Sequence, residues 1–473
     1  MVIALFMVLV LSVLGSSLMF VSQTETWSSH NYRLTSQARY GAESGVHRAA
    51  NYLLSDDYDP PTDMTAFDLN GSPVEWNGEP VVLSSNPDVE ANYPDATEQD
   101  EFEAAAVGTL DVTNGTVSYT ASAELIGMRR FFDEYLGDWR TIQTWEITSV
   151  GVPSGPRDAS VEVSAIIERQ TMPVFSYAAF ATHNGCAALS FAGGAVTDSY
   201  NSTAPLVGGS PQITQAFGNV GTNGNLTEAG NPTTVWGSLS TPRAGVGNCT
   251  SNNVTAQTIS GNASVEAGLI QLPQPLEFPT PPAPSPLPPT DSLNFSGSSC
   301  PAGAPNCTTS GGVTITPPGG GTVVMGNVSL TGSTTLRLNA GTYIINSLDI
   351  AGNSKIVIDS GPVTFQIAGQ GTTTPLKIVG NGLSNTTFNP SNLRFVYAGT
   401  GNVQVAGGTE TSALLYAPNA TGGFSGGSDW YGAVILKQIT ATGGAAIHYD
   451  VNLQNSSITA GNHMMSSFSW RSF

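Results

Sequence analysis

The chain opens with a strongly apolar run, Met1 to Val21 (MVIALFMVLVLSVLGSSLMFV), that carries no charge. About twenty residues at about 1.5 Å each are enough to cross a bilayer core. The pattern then changes instead of stopping. Leu34, Ala38, Ala42, Gly45, Ala49 and Leu53 recur every three or four residues, the spacing of one helix face. It ends before Ser55-Asp-Asp-Tyr-Asp-Pro-Pro, where paired prolines stop a helix. One continuous helix over residues 1–54, about 80 Å long, is therefore predicted, with one half lipid-buried and the other amphipathic. A cleaved signal peptide fits less well: no basic segment precedes the run and no small-x-small site follows it.

After the helix the period shortens to two. An acidic, Pro-rich stretch from Ser55 to about Ala106 reads as loop. Val117–Ile126, Thr141–Val150 and Ala159–Glu168 alternate as half-buried strands of an antiparallel meander, with Val161, Val163, Ala165 and Ile167 on one face. Arg129 to Trp139 (RRFFDEYLGDW) reads as a loop or short helix between two of them. From about Phe175 to His463, short apolar alternations are broken by Gly, Ser, Thr and Asn. Turn glycines at Gly332, Gly341, Gly352, Gly361 and Gly369 bracket strands of four to six residues. Such repetition suits a β-solenoid or β-helix, with a β-sandwich as the alternative. Pro273 to Pro289 (PQPLEFPTPPAPSPLPP) splits this region and reads as polyproline II, either a spacer or a strap. The predicted organisation is a hydrophobic helix (1–54), a β head (55–172), a first β-solenoid part (173–267), a Pro-rich linker (268–292) and a second solenoid part (293–473). The fold class is mainly β with a long N-terminal α-helix.

Composition narrows the partners. Charged residues make up 11% of the chain and the formal net charge is -20, which argues against nucleic acid and anionic lipid surfaces. Cys186, Cys249, Cys300 and Cys307 form no C-x-x-C pair and have no zinc-spaced His beside them. In an exported chain the expected disulfides are Cys186–Cys249 and Cys300–Cys307.

The segment Gln37-Ala-Arg-Tyr-Gly-Ala-Glu-Ser-Gly-Val-His-Arg-Ala-Ala50 resembles the "A-x-x-A-A-E-A-G-L-x-x-A" stretch of PilX-type minor pilins, which are type IV pilus assembly proteins. The likeness covers residues 1–54 and implies that Ala42, Glu43, Gly45 and Ala49 lie on a small-residue face. It also implies a long helix followed by an antiparallel head. Pilin precursors carry a basic leader ending in Gly; none is present, so the sequence reads as a mature form or as one starting at a downstream Met. Major pilins place Glu fifth, where this chain has Leu5, and no carboxylate appears before Glu25. The resemblance therefore implies a minor or tip subunit. A second likeness covers about 175–463. Leu415-Tyr-Ala-Pro-Asn-Ala, Phe424–Ile435, Thr440–Asp450 and Phe191–Tyr200 are similar to an uncharacterised β-rich domain often attached to PilX-type N-termini.

Candidate chemistry is sparse. Gly423-Phe-Ser-Gly-Gly427 matches G-x-S-x-G, but turn residues and another strand follow it, where a hydrolase elbow needs a helix. His448 and Asp450 fall on one strand face, as half a triad or as a hydrogen-bonded strand end. Asp56, Asp57, Asp59 and Asp63 offer oxygen ligands for Ca2+, without the loop of a dedicated site; a solvated acidic loop is the simpler reading. The N-x-S/T sequons at Asn225, Asn253 and Asn419 are expected of Asn-rich turns. Trp430 and Tyr431 are candidates for sugar stacking or for the core.

No catalytic residue, cofactor site or metal site is assigned. The expected function is a non-catalytic minor or tip pilin-like subunit, in pilus assembly or surface adhesion. Its helix face Leu34, Ala38, Ala42, Gly45, Ala49 and Leu53 would pack other pilin subunits. The expected location is the bacterial inner membrane, facing outward, then the pilus or cell surface. The alternatives are a membrane-anchored carbohydrate-binding or carbohydrate-active β-helix, with surface polysaccharide as partner, and a plain anchored scaffold.

Overall fold

A computed structural model describes residues 2–472 except 56, 62, 113–114, 134–137, 156–158, 380–381, 408–409 and 456–457. The chain divides into two compact units. One comprises Met1–Phe131, Trp139–Gln170 and Asn462–Phe473; the other comprises Phe132–Asp138 and Thr171–Gly461.

The first unit is built on α1 (Val2–Leu54), a single helix as the apolar pattern requires. Its sheet runs Ile458–Ser472, Val161–Pro173, Asp138–Pro153, Gly115–Asp133 and Val82–Ser84 in spatial order, with Gly108–Val112 also paired to Gly115–Asp133. The central pairings are antiparallel. Alternate residues turn inward: Val117, Ala121, Ala123 and Leu125 on one strand, and Val161, Val163, Ala165 and Ile167 on another. Three expectations change here. Arg129–Asp133 continues the strand Gly115–Asp133; residues 134–137 lie outside the described residues. The acidic stretch 55–106 contains short strands and α2 (Ala96–Ala105), capped by Asp95, whose carboxylate accepts the Thr97 amide at 2.8 Å. The strand Ile458–Ser472, which the sequence placed in the second unit, crosses to the first from Asn462 onward, because it pairs at the edge of this sheet.

The second unit is a coil of parallel strands, three to a turn. On each of three faces the described residues form a ladder of ten rungs. The first ladder runs from Leu269–Gln271 to Thr322–Val324. The second runs from Gln257–Gly261 to Ser292–Ser296. The third runs from Ser264–Val265 to Val313–Ile315. Parallel pairing to the next turn is a solenoid; a sandwich would pair its strands antiparallel. The interior is a column of like residues. Leu336 and Leu338 sit over Ile356 and Ile358, and Phe365 stacks on Phe395 with ring centroids 5.2 Å apart. Gly332, Gly352 and Gly369 hold positive φ at the corners, where a Cβ would strain the turn.

The threading is not sequential. The chain enters at Ala179–Ala181, in the interior of the stack, and coils to one end at Leu269–Gln271. Residues 272–291 then return along the outside. Asn223 exchanges two bonds of 2.8 Å with Leu276, Phe278 packs on Phe180 at 4.7 Å, Tyr416 bonds the Pro279 carbonyl at 2.6 Å, and Gln370 bonds the Pro288 carbonyl at 3.0 Å. These contacts advance rung by rung. Nine rung spacings are about 43 Å, and twenty residues of polyproline II reach about 62 Å, enough for the return. The Pro-rich segment is therefore a strap. The chain then coils back from Ser292–Ser296 until Asp429–Thr442 and Ala446–Asp450 meet the first rung. At the far end the Cys300–Cys307 loop and the antiparallel Cys307–Thr308 pairing pack against the last turn.

Candidate functional sites on the helix and the coil

The helix carries two surfaces. Val2, Ile3, Leu5, Phe6, Leu9, Leu11, Leu14, Leu18 and Phe20 are all exposed, and the segment is long and apolar enough to cross a membrane. From Ala38 onward the opposite holds. Ala38, Ala42, Gly45, Ala49 and Leu53 are buried and Leu34 half-buried. Their neighbours belong to this chain's own sheet: a Cβ on Gly41 would meet Val117, one on Gly45 would meet Ser149 and Tyr119, and one on Gly151 would overlap the Ala38 carbonyl and the Ala42 amide. The face expected to pack other subunits is thus the seat of the head. Small residues serve close approach to strands within one chain. The helix end is fixed by a polar cluster. Tyr52 donates to Glu98 at 2.7 Å, Tyr58 donates to Gln143 at 2.7 Å, and Tyr58 and Tyr93 share a bond of 2.9 Å. Burial pushes the Tyr93 hydroxyl up to about 12.

Both expected disulfides, Cys186–Cys249 and Cys300–Cys307, are present. Of the acidic loop, Asp63 accepts the Thr65 amide at 3.0 Å and its hydroxyl at 2.8 Å, which holds its carboxyl below the usual range. That is a turn; Asp56 lies outside the described residues. Gly423 and Ser425 are strand residues, and Gly426 and Gly427 turn into the next strand, so the G-x-S-x-G match forms no elbow. Trp430 and Tyr431 are buried and belong to packing.

His448 and Asp450 part company. Asp450 accepts the amides of Ser202 at 3.1 Å and Asn452 at 3.2 Å, shaping a turn. His448 joins residues far away in sequence: Nδ1 bonds the Asp198 carboxylate, and Nε2 lies 3.6 Å from Asp429. Tyr431 lies against the ring with centroids 4.6 Å apart. Burial alone would lower the imidazole pKa, but the two carboxylates outweigh it and raise it from 6.5 to about 9. A further buried acid, Glu228, sits inside the coil between Phe191 and Ile259. Gln257 donates to it at 2.6 Å, its second oxygen has no hydrogen-bond partner, and burial pushes its carboxyl up to about 7. Sequence reasoning missed Asp198, Asp429 and Glu228. Asp198 becomes a neighbour of His448 only through the non-sequential threading, whereas Asp429 lies one turn back along the same stretch of coil. The only local signal for Glu228 was its inward position in the alternation of Leu226–Gly230.

The first 47 residues match the PilX N-terminal family. That segment is PilX-like. Behind the PilX segment, residues 308–456 match a domain of unknown function (DUF7305). Neither match reaches half of the chain. No curated protein matches. The crystal structure of the competence-associated pilin ComZ from Thermus thermophilus aligns over 93% of this chain and 98% of its own at 15% identity. Its TM-score of 0.26 is too low to carry an argument. The pilin-like reading therefore rests on the PilX segment.

Proposed function

We propose that the chain is a minor or tip pilin-like subunit of a type IV pilus-type assembly, with the coil as its displayed surface and no catalytic role. The observation that carries this reading is the division of one helix: residues 2–21 are wholly exposed and mostly apolar, while one face from Ala38 to Leu53 is committed to the head. A soluble core helix would bury its most apolar half, and this one leaves it open to lipid or to other helices. The assembly contact accordingly moves to residues 2–33, toward the N-terminus from the face first expected. The membrane holds the chain before assembly, and the sparsely charged, Ser/Thr/Asn-rich surface of the coil suits adhesion to polysaccharide or to another surface.

Immuno-electron microscopy of intact cells tests the proposal. The full chain is expected on filaments, and Leu9→Lys with Leu14→Lys is expected to remove it from them. A full chain found evenly over the envelope and never on filaments would leave only the anchored scaffold.

A further inference from the structure

The coil contains one seam at which strands laid down far apart in sequence become neighbours. Val196–Tyr200, from the first stretch of coil, pairs with Ala446–Asp450, from the last. Asp198 stands at the register position of His448, 250 residues away, and Asp429 lies on the adjoining strand Asp429–Thr442. The three side chains form one continuous contact across the seam, with His448 at 8% exposure and Asp198 at 6%. Among the described residues this is the ion pair that joins the two threaded halves; the Arg337–Asp359 and Lys377–Asp349 pairs lie within the second half.

We propose that the Asp198–His448–Asp429 contact is a pH-released latch that holds the two halves of the coil together. A cationic imidazole donates from Nδ1 to Asp198 and holds its second N–H, with the ring's positive charge, 3.6 Å from Asp429. Loss of one proton to solvent leaves a single donor, so one carboxylate loses its partner beside a buried neutral ring. The other titratable groups around His448 are Tyr200 beside Asp198, Tyr431 beside Asp429, and Tyr449 and Asp450 on its own strand. Glu410 occupies Asp429's register position on the next rung. Residues 201–218 and 385–392, which flank the site, contain no charged residue. No second cation therefore replaces the imidazolium. Because the folded value, about 9, lies above the ordinary 6.5, the latch is fully closed below about pH 6.5 and is lost as pH rises through about 9.

Hydrogen exchange on the full chain at pH 7 and pH 10, corrected for the intrinsic rate, tests this. Opening at residues 196–200 and 446–450 is expected to rise on the order of a hundredfold, while residues 341–345, a ladder without the latch, stay protected. Asp198→Asn is expected to raise opening at pH 7 and flatten the pH response, and His448→Lys is expected to leave the seam closed at pH 7 and keep it closed further into the alkaline range. Two results would overturn the proposal. One is a seam no more pH-sensitive than 341–345 in the unaltered chain, which needs no variant. The other is a full alkaline response persisting in a folded His448→Gln chain.

Discussion

The molecule contains two internal joints made by opposite means. Where α1 meets the first unit's sheet, the fit is steric: Gly41, Gly45 and Gly151 let backbones approach until no side chain fits between. Where the coil closes on itself, the fit is ionic, an imidazole between two carboxylates. The steric joint depends on shape and should ignore pH. The ionic joint depends on a proton and should not. The comparison teaches that burial alone does not say how a joint will respond; what meets inside it does.

The largest effect expected separates the units themselves. All four cysteines belong to the coil unit. Replacing Cys186 and Cys249 by Ser releases a link across 63 residues and should cost about 4 kcal/mol, against about 2.5 kcal/mol for the short Cys300–Cys307 loop. Denaturant unfolding followed by exchange at residues 220–261 would read the loss. An equal loss at residues 117–125 would break the distinction between the units. Next, Gly151→Ala should cost about 3 kcal/mol by forcing α1 off the sheet, lowering the thermal midpoint by the same amount at pH 6 and pH 10. A pH-dependent cost would mean that the joint is not purely steric.

The third prediction concerns a buried charge with no counter-ion. Glu228 titrates near 7 in the fold and near 4.5 when free, so the folded protein holds its proton more tightly. Its unfavourable contribution is absent below about pH 4.5 and complete above about pH 7. Glu228→Gln should therefore stabilise the coil by about 1–3 kcal/mol at pH 8 and change little at pH 4, as measured by urea midpoints at both values. The smallest effect is Tyr58→Phe. Removing its bonds to Gln143 and Tyr93 should cost about 1 kcal/mol, seen as faster exchange at residues 49–54.

Local periodicity explains what could be read from the chain alone. The helix 1–54, the alternation of Val161 to Ile167 and the corner glycines are patterns that neighbouring residues impose on one another, and both disulfides followed from cysteine count and spacing. Two kinds of feature were illegible. The first was occupancy: a stripe of small residues fits a partner's helix and one's own sheet equally well, and only the structure puts Val117 and Ser149 against it. The second was threading. Because strands of a solenoid are nearly interchangeable in sequence, nothing local says that residues 196–200 adjoin 446–450, and so His448 lacked Asp198 and Asp450 was paired with it instead.

The non-sequential path sets an order of events during synthesis. A solenoid wound from one end can add each turn onto a finished one. Here the strands at 179–200 are made first, yet one side of them stays bare until residues 429–450 emerge. For some 230 residues of elongation the nascent chain carries an open edge, a hazard for mispairing. A chain ended before residue 429 would be a half-coil whose bare strand edge can pair with another copy of itself.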